Sequence, residues 1–78
     1  MKMKTAIEKL NRIAREGTMQ EVMELVFAIR HATTSELIRQ HIYSIMKGES
    51  KIRLQTYVLI DMLEERMDEA DINAIAGM

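Results

Sequence analysis

Residues 18–31 read TMQEVMELVFAIRH and carry the strongest helix signal in the chain. Thr18 is followed three residues later by Glu21, which is a capping box: the hydroxyl and the carboxylate each accept a hydrogen bond from an unpaired amide at the helix start. Eight of the residues from 19 to 29 are apolar, and they wrap nearly the whole helix circumference. A helix packed on one side needs an apolar stripe of only about 100°. The sequence therefore predicts a helix that ends near His31 and has neighbours on more than one side.

The glycines divide the rest of the chain into helices, because the sequence contains no proline and only three glycines. Gly17, Gly48 and Gly77 each follow a periodic apolar segment, as helix-terminating glycines do. A first helix is predicted from about Lys4 to Glu16, and Gly17 is expected to end it in a left-handed turn. Its apolar stripe consists of Ala6, Ile7, Leu10, Ile13 and Ala14.

Two further helices are predicted in the second half of the chain. Thr33 and Glu36 form another capping box, which opens a helix over about residues 34–47 that Gly48 closes. Ser50 can cap a fourth helix, over about residues 51–70. A strand over residues 52–60 is the rival prediction, because several apolar residues there also fit a period of two. The helix is favoured because the apolar spacing continues in helical register beyond the length of a strand.

The sequence of residues 71–76 is compatible with two structures. Asp71 is the expected cap of a last short turn over residues 72–76, which either docks its apolar residues or frays. The predicted fold is thus all-α: one domain over residues 1–78, built as a compact bundle of four helices, the last of them broken if this turn forms. The connections of three to five residues make successive helices neighbours.

The amount of apolar sequence predicts association with another chain. A chain of 78 residues buries only about 60–65% of its unfolded surface, so two broadly apolar helices cannot both be covered within it. Symmetric pairing is the commonest way to bury such surface, and we expect a homodimer. Methionines adapt to irregular partners, and a tyrosine ring with a reachable hydroxyl suits an interface. The predicted interface residues are Met19, Met23, Phe27, Tyr57 and Met62.

Few residues in the chain suggest catalysis or metal binding. The absence of cysteine excludes disulfides and thiolate metal sites. His31 and His41 lack the spacing that places two ligands on one metal. The serines have no elbow glycines, and three isolated glycines make no phosphate-binding loop. We therefore expect no enzymatic activity, no metal and no cofactor; a small ligand bound at a subunit interface is an alternative without positive evidence in the sequence.

Nucleic-acid binding is the main rival function. Residues 1–48 carry eight basic and five acidic side chains, whereas residues 49–78 carry three and seven. Residues 34–42, TSELIRQHI, resemble the second helix of ribbon-helix-helix DNA-binding proteins. That resemblance implies a base-reading strand before the first helix, but residues 11–17 are helical in pattern. A dimeric DNA-binding regulator would therefore use the basic first helix, through Lys2, Lys4, Lys9, Arg12 and Arg15.

The favoured function is a non-enzymatic regulatory or adaptor protein that acts by binding another protein, as an inhibitor or modulator. The N-terminus begins with basic residues, but Glu8, Lys9 and Arg12 interrupt the apolar run that a signal peptide needs. No segment reaches the ~20 apolar residues of a membrane span. We expect a cytoplasmic protein.

Overall fold

A computed structural model describes residues 2–48 and 51–77, which form five α-helices and no β-strand. The helices are α1 (Met3–Glu16), α2 (Met19–Ala32), α3 (Glu36–Met46), α4 (Ile52–Arg66) and α5 (Glu69–Ala76). The all-α class is confirmed. The strand alternative over residues 52–60 is wrong, because this segment forms the first part of α4.

The capping box predicted at the start of α2 is confirmed. The amide of Glu21 donates to Thr18 Oγ1 at 3.1 Å, and the amide of Thr18 donates to Glu21 Oε1 at 2.9 Å. The cap predicted for α3 is wrong: Ser35, not Thr33, accepts from the amide of Ile38. Thr33 is buried, and its Oγ1 accepts from the amide of Ser35 at 3.0 Å. The Thr33 hydroxyl is therefore used within the turn between α2 and α3, and α3 begins two residues later than expected.

The helix predicted over residues 51–70 is shorter than expected, which raises the count in the described residues to five. It ends at Arg66, and Asp68 opens α5 by accepting from the amide of Asp71 at 2.9 Å. Asp71, the predicted cap, is thus the donor in this pair. Ile72 and Ile75 are buried, so the last helix docks rather than frays. The predicted cap Ser50 lies outside the described residues, and Lys51 precedes α4 in the left-handed conformation with φ 68°.

The two internal glycines serve different purposes. Gly48 follows the last turn of α3 in the left-handed conformation, with φ 79°, so the prediction that this glycine closes the helix is confirmed. Gly17 has φ −66° and ψ 159°, so the left-handed turn predicted there is wrong. Glycine suits this position for another reason: a Cβ would lie 2.6 Å from the carbonyl oxygen of Ile13, which accepts from the Gly17 amide at 2.8 Å.

A single apolar cluster joins all five helices. α1 packs against α2, α4 and α5, while α3 packs against α4 and α2. The largest fully buried side chains are Leu10, Val22, Val26, Ile29, Ile38, Ile42, Ile45, Thr56, Leu59, Ile60, Leu63 and Ile72. Every helix therefore turns one face toward this cluster, and function has to be sought on the faces that remain outside.

The first and last pairs of helices repeat one another with an offset of 50 residues. In each corner two extended residues separate the helices, residues 17–18 and residues 67–68. In each, the second of these residues caps the next helix by accepting from the amide three residues on. Residues 21–26 and 71–76 also share the same order of buried and exposed positions. The α1–α2 corner thus packs against an equivalent α4–α5 corner, and α3 connects the two.

Candidate functional site

The predicted interface residues differ in their exposure. Met19 and Phe27 are exposed on α2, with 46% and 40% of their surface accessible. Met23 and Met62 are half-buried and pack against the core, and Tyr57 is also half-buried. Of the five, Met19 and Phe27 are therefore the residues most open to a partner in the isolated chain.

An open groove of about 620 Å³ lies between the end of α2 and the outer face of α3. Its lining residues are Arg30, His31, Glu36, Arg39 and Tyr43. The first two come from the last turn of α2, and the other three follow at spacings of three and four along α3. Such spacing places side chains on one helix face. The helix crossing, rather than one continuous segment, therefore assembles this groove.

Hydrogen bonds hold both arginines of the groove against the turn and helix that form it. Arg39 Nη2 donates to the carbonyl oxygen of Thr33 at 3.3 Å. Arg30 Nη1 lies 3.9 Å from Met46 Sδ, a weak acceptor, so α2 reaches the end of α3 here. Each arginine thus makes one long contact with the walls of the groove, and the groove beside them is open.

Exposed apolar side chains border these arginines. Tyr43 is 60% exposed and Met46 41% exposed, one turn apart on α3. Phe27 lies one turn before Arg30 on α2. We call this area the basic-aromatic surface, and it comprises Phe27, Arg30, His31, Arg39, Tyr43 and Met46.

Neither arginine of the groove forms an ion pair with a described carboxylate. Across residues 2–48 and 51–77 the one ion pair is that of Arg15 with Glu16, at 3.9 Å. No described carboxylate therefore lies within 4 Å of the Arg30 or Arg39 guanidinium, although Glu36 lines the same groove. Guanidinium groups bind carboxylates through two parallel hydrogen bonds. The groove can accordingly accept an acidic group from a partner.

A second exposed surface runs along α4. Leu54 and Val58 leave 55% and 43% of their surface accessible, and Asp61 and Glu65 are exposed further along the helix. These four residues follow one another at spacings of four, three and four, and therefore share one face. We call this face the α4 stripe. It joins an apolar half to an acidic half.

His41 connects α3 to the helix that carries this stripe. Its Nε2 donates to the carbonyl oxygen of Gln55 at 2.9 Å. The hydrogen bond fixes α3 beside α4, so the basic-aromatic surface and the α4 stripe lie on neighbouring helices. His41 therefore has a structural role in this fold.

The two smaller cavities place no nucleophile beside a base among their lining residues. One of about 140 Å³ is lined by Ile13, Glu21, Glu24, Leu25 and Ile75. The other, of about 270 Å³, is lined by Ala28, His31, Ala32, Ala74 and Ile75. Within residues 2–48 and 51–77, no three histidine or carboxylate side chains are grouped to hold a metal ion. Expectations about enzymatic activity and ligands stay untested by these observations.

The predicted nucleic-acid residues lie on α1 and just before it. Lys2, Lys4, Arg12 and Arg15 are exposed, and Lys9 is half-buried. Lys4 and Arg12 alternate with Glu8 and Glu16 at intervals of four residues, so positive and negative charges share one face of the helix. Residues 11–16, where a ribbon-helix-helix protein needs its strand, are helical.

The sequence did not single out Arg30, Arg39 or the α4 stripe. A signal was available in α3, since Glu36, Arg39, Tyr43 and Met46 form a stripe beside the buried face of Ile38, Ile42 and Ile45. The approach of Arg30 to Met46 could not be read from the sequence, because it depends on how α2 crosses α3.

None of the helices in the described part of the chain has the length and apolar composition that a membrane crossing requires. The chain matches no protein-family model, no curated protein and no solved structure. A functional argument for it therefore starts from the basic-aromatic surface and the α4 stripe.

Proposed function

We propose that this protein is a small non-enzymatic regulator or adaptor that binds another protein through the basic-aromatic surface. One observation carries the proposal: Phe27, Tyr43 and Met46 are exposed near two arginines that form no ion pair with a described carboxylate. Aromatic residues, methionine and arginine are the types enriched at protein interfaces, and tyrosine and arginine contribute many of the residues that dominate binding energy.

The chemistry of the surface also supports binding of an acidic partner. Arg30 and Arg39 supply exposed guanidinium donors, and the apolar side chains beside them would exclude water from a docked acidic group. Hydrogen bonds to charged groups gain strength when water is excluded. A segment with carboxylates next to apolar residues would use both properties.

Self-association belongs to the same proposal. Seven large apolar side chains of the described residues are exposed in the single chain, namely Met19, Phe27, Leu37, Tyr43, Met46, Leu54 and Val58. A homodimer would cover part of this surface, because symmetric pairing is the commonest assembly of soluble chains.

Affinity purification with matched bait variants tests the protein-binding role. Tagged wild-type protein is compared with Arg39→Glu, Tyr43→Ala and the control Arg12→Glu, which makes the same charge change at an exposed site on α1. We expect a protein that copurifies with the wild type and with Arg12→Glu and is lost with the other two baits. Retention by all four baits would contradict the proposed surface.

The same baits test the nucleic-acid alternative on duplex DNA at low salt. Retention of the wild type that is lost with Arg12→Glu but kept with Arg39→Glu would favour DNA binding through α1. We expect no retention of any bait.

A further inference from the structure

We propose that the occupant of the basic-aromatic surface is an amphipathic helix of another protein, with two carboxylates two turns apart and an apolar residue between them on the same face. This inference rests on the proposed function, because it uses the same surface and specifies the segment that the surface recognises. It follows from where the charges lie in the groove between α2 and α3.

The two arginines lie at opposite ends of the groove. Arg39 Nη2 donates to the carbonyl oxygen of Thr33, which precedes α3. Arg30 Nη1 instead lies at the sulfur of Met46, the last residue of α3. Arg39 and Met46 are seven residues apart, which is about 10.5 Å along the helix axis at 1.5 Å per residue. One carboxylate is too small to bridge that distance, so the groove offers two separate sites for negative charge.

An exposed aromatic ring lies between these two positive ends. Tyr43 follows Arg39 by four residues and precedes Met46 by three, so the three side chains share one face of α3. Tyr43 and Met46 are both exposed. An apolar side chain that covered the ring would remove water from the charge pairs on either side, which strengthens them. The surface along α3 is thus positive, apolar and positive, in that order.

The distance between the ends of the groove favours a helical partner over an extended one. In an extended segment three residues span about 10 Å, but side chains three residues apart point to opposite faces. In a helix seven residues span about 10.5 Å, and side chains seven residues apart return to nearly the same face. A residue three or four positions from each carboxylate then faces Tyr43. A helix therefore brings two carboxylates and an apolar side chain onto the groove together.

Glu36 restricts how acidic the partner helix can be. It lies one turn before Arg39 on α3 and lines the same groove. A third carboxylate, one turn beyond the one at Arg39, would face Glu36 and be repelled, whereas a lysine or arginine there would be attracted. The groove therefore favours a helix with two spaced carboxylates over one that is acidic throughout.

The described helices of this chain lack the pattern that the groove requires. Within α1 to α5 no two carboxylates are seven residues apart. Glu8 and Glu16 of α1 are eight residues apart, which turns them about 80° from one another around the helix axis. The occupant is accordingly a helix of a different protein.

Selection from a displayed peptide library tests the pattern. The library uses a polar, helix-forming peptide of about 18 residues, with four randomised positions on one face at steps of three, four and three residues. We expect the wild-type protein to enrich peptides with Asp or Glu at the two positions seven residues apart and an apolar residue between them. The remaining position, which faces Glu36, should carry a basic or uncharged residue. A central proline in the best peptide should abolish binding, because proline breaks the helix.

Variants of the bait assign each carboxylate to one arginine. Arg39→Met keeps an apolar stem and should remove the selection for one carboxylate, and Arg30→Met should remove it for the other. Glu36→Gln should keep both and admit a third acidic residue. Arg12→Met makes the same change at an exposed site on α1 and should select the same peptides as the wild type. Calorimetric titration of the best peptide is expected to show about 5- to 10-fold weaker binding to each variant of a groove arginine.

The outcomes of the selection are separate from those of the affinity purification. Enriched peptides without paired carboxylates, carboxylates at another spacing, or no enrichment by the wild type would each overturn the inference. An Arg39→Met bait that selects the same peptides as the wild type would do so too. If a protein partner is nevertheless captured and is lost with Arg39→Glu, the proposed function stands and the helical pattern alone is wrong. Failure of both the selection and the capture would overturn both.

Discussion

Gly17 and Met67 hold equivalent places in the two helix corners, but only Met67 has room for a side chain. Gly17 has φ −66° and Met67 has φ −124°, and a Cβ at position 17 would meet the carbonyl oxygen of Ile13 at 2.6 Å. Gly17→Ala is expected to lower the free energy of unfolding by about 1–2 kcal/mol, because the corner must shift to admit the methyl group. Urea denaturation measures the change.

Gly77→Ala is the control for that substitution. There a Cβ would lie 3.2 Å from the carbonyl oxygen of Asn73, near the chain end, so the loss should be smaller. Equal or greater stability of Gly17→Ala would show that the corner tolerates a side chain, and that glycine is not required by the approach to Ile13.

Asn73 carries a buried side-chain oxygen without a hydrogen-bond partner among the described residues, as does Asn11. An unsatisfied buried acceptor costs about 1–3 kcal/mol. The equivalent position in the first corner is Met23, which packs against the core. Asn73→Met is therefore expected to raise the free energy of unfolding by about 1 kcal/mol. Thermal and urea denaturation measure it, and Asn73→Ala separates removal of the amide from gain of apolar contact. A destabilised Asn73→Met would contradict the equivalence of the corners.

Glu21 makes the start of α2 sensitive to pH. The Thr18 amide and hydroxyl, which bond to the ionised carboxylate, hold the pKa of Glu21 below its ordinary value. A carboxyl with a lowered folded-state pKa stabilises the fold above its unfolded pKa of about 4.3, and this contribution is lost as pH falls through the folded value. Wild-type stability should thus fall between about pH 5 and pH 3 more than that of Glu21→Gln, which can keep the capping geometry but does not titrate. Parallel slopes for the two proteins would exclude this contribution.

At the scale of helices, α4 stabilises the end of α1 through Arg53. Its Nη1 donates to the carbonyl oxygens of Ala14 at 3.0 Å and Arg15 at 3.3 Å. Carbonyls at a helix C-terminus carry partial negative charge and lack helical partners. Arg53→Met keeps the apolar stem and removes the donors, so we expect a loss of about 1–2 kcal/mol in unfolding free energy. Arg66→Met, an exposed arginine at the end of α4, is the control and should change little. Similar values for both variants would leave Arg53 without a capping role.

The start of α2 was predictable from sequence because its cap is local, whereas two other helix ends were not. Thr33 and Glu36 satisfy the same pattern as Thr18 and Glu21, yet Thr33 is buried in a turn and Ser35 caps α3. The end of α4 at Arg66 was not predicted, because the apolar residues Leu63 and Met67 continue the helical spacing past it. The Asp68–Asp71 pair was the available signal, since it repeats the cap arrangement of the first corner.

At the scale of the whole molecule, the sequence predicted how much apolar surface there is better than where it lies. The broad apolar faces of α2 and α4 do leave Phe27, Leu54 and Val58 exposed. Met23 and Met62 lie on the same broadly apolar helices, but they pack against the core. The sequence alone does not distinguish the buried from the exposed residues. On a helix that is apolar all round, burial depends on which neighbouring helices cover each residue.

The docking of α5 decides whether the molecule unfolds as one unit. Ile72 and Ile75 belong to the same apolar cluster as α1, and Ile72 is fully buried. Truncating a buried isoleucine to alanine costs about 2–5 kcal/mol, while a chain of this length has a total stability of about 4–12 kcal/mol. Ile72→Ala should therefore remove a large part of the stability and keep a single transition by circular dichroism.

Val58→Ala, on the exposed side of α4, is the control and should change stability by less than about 0.5 kcal/mol. A loss below about 1 kcal/mol for Ile72→Ala would mean that α5 frays and that the rest of the core is stable without it. Truncating the central buried side chain of a docked helix should cost more than that.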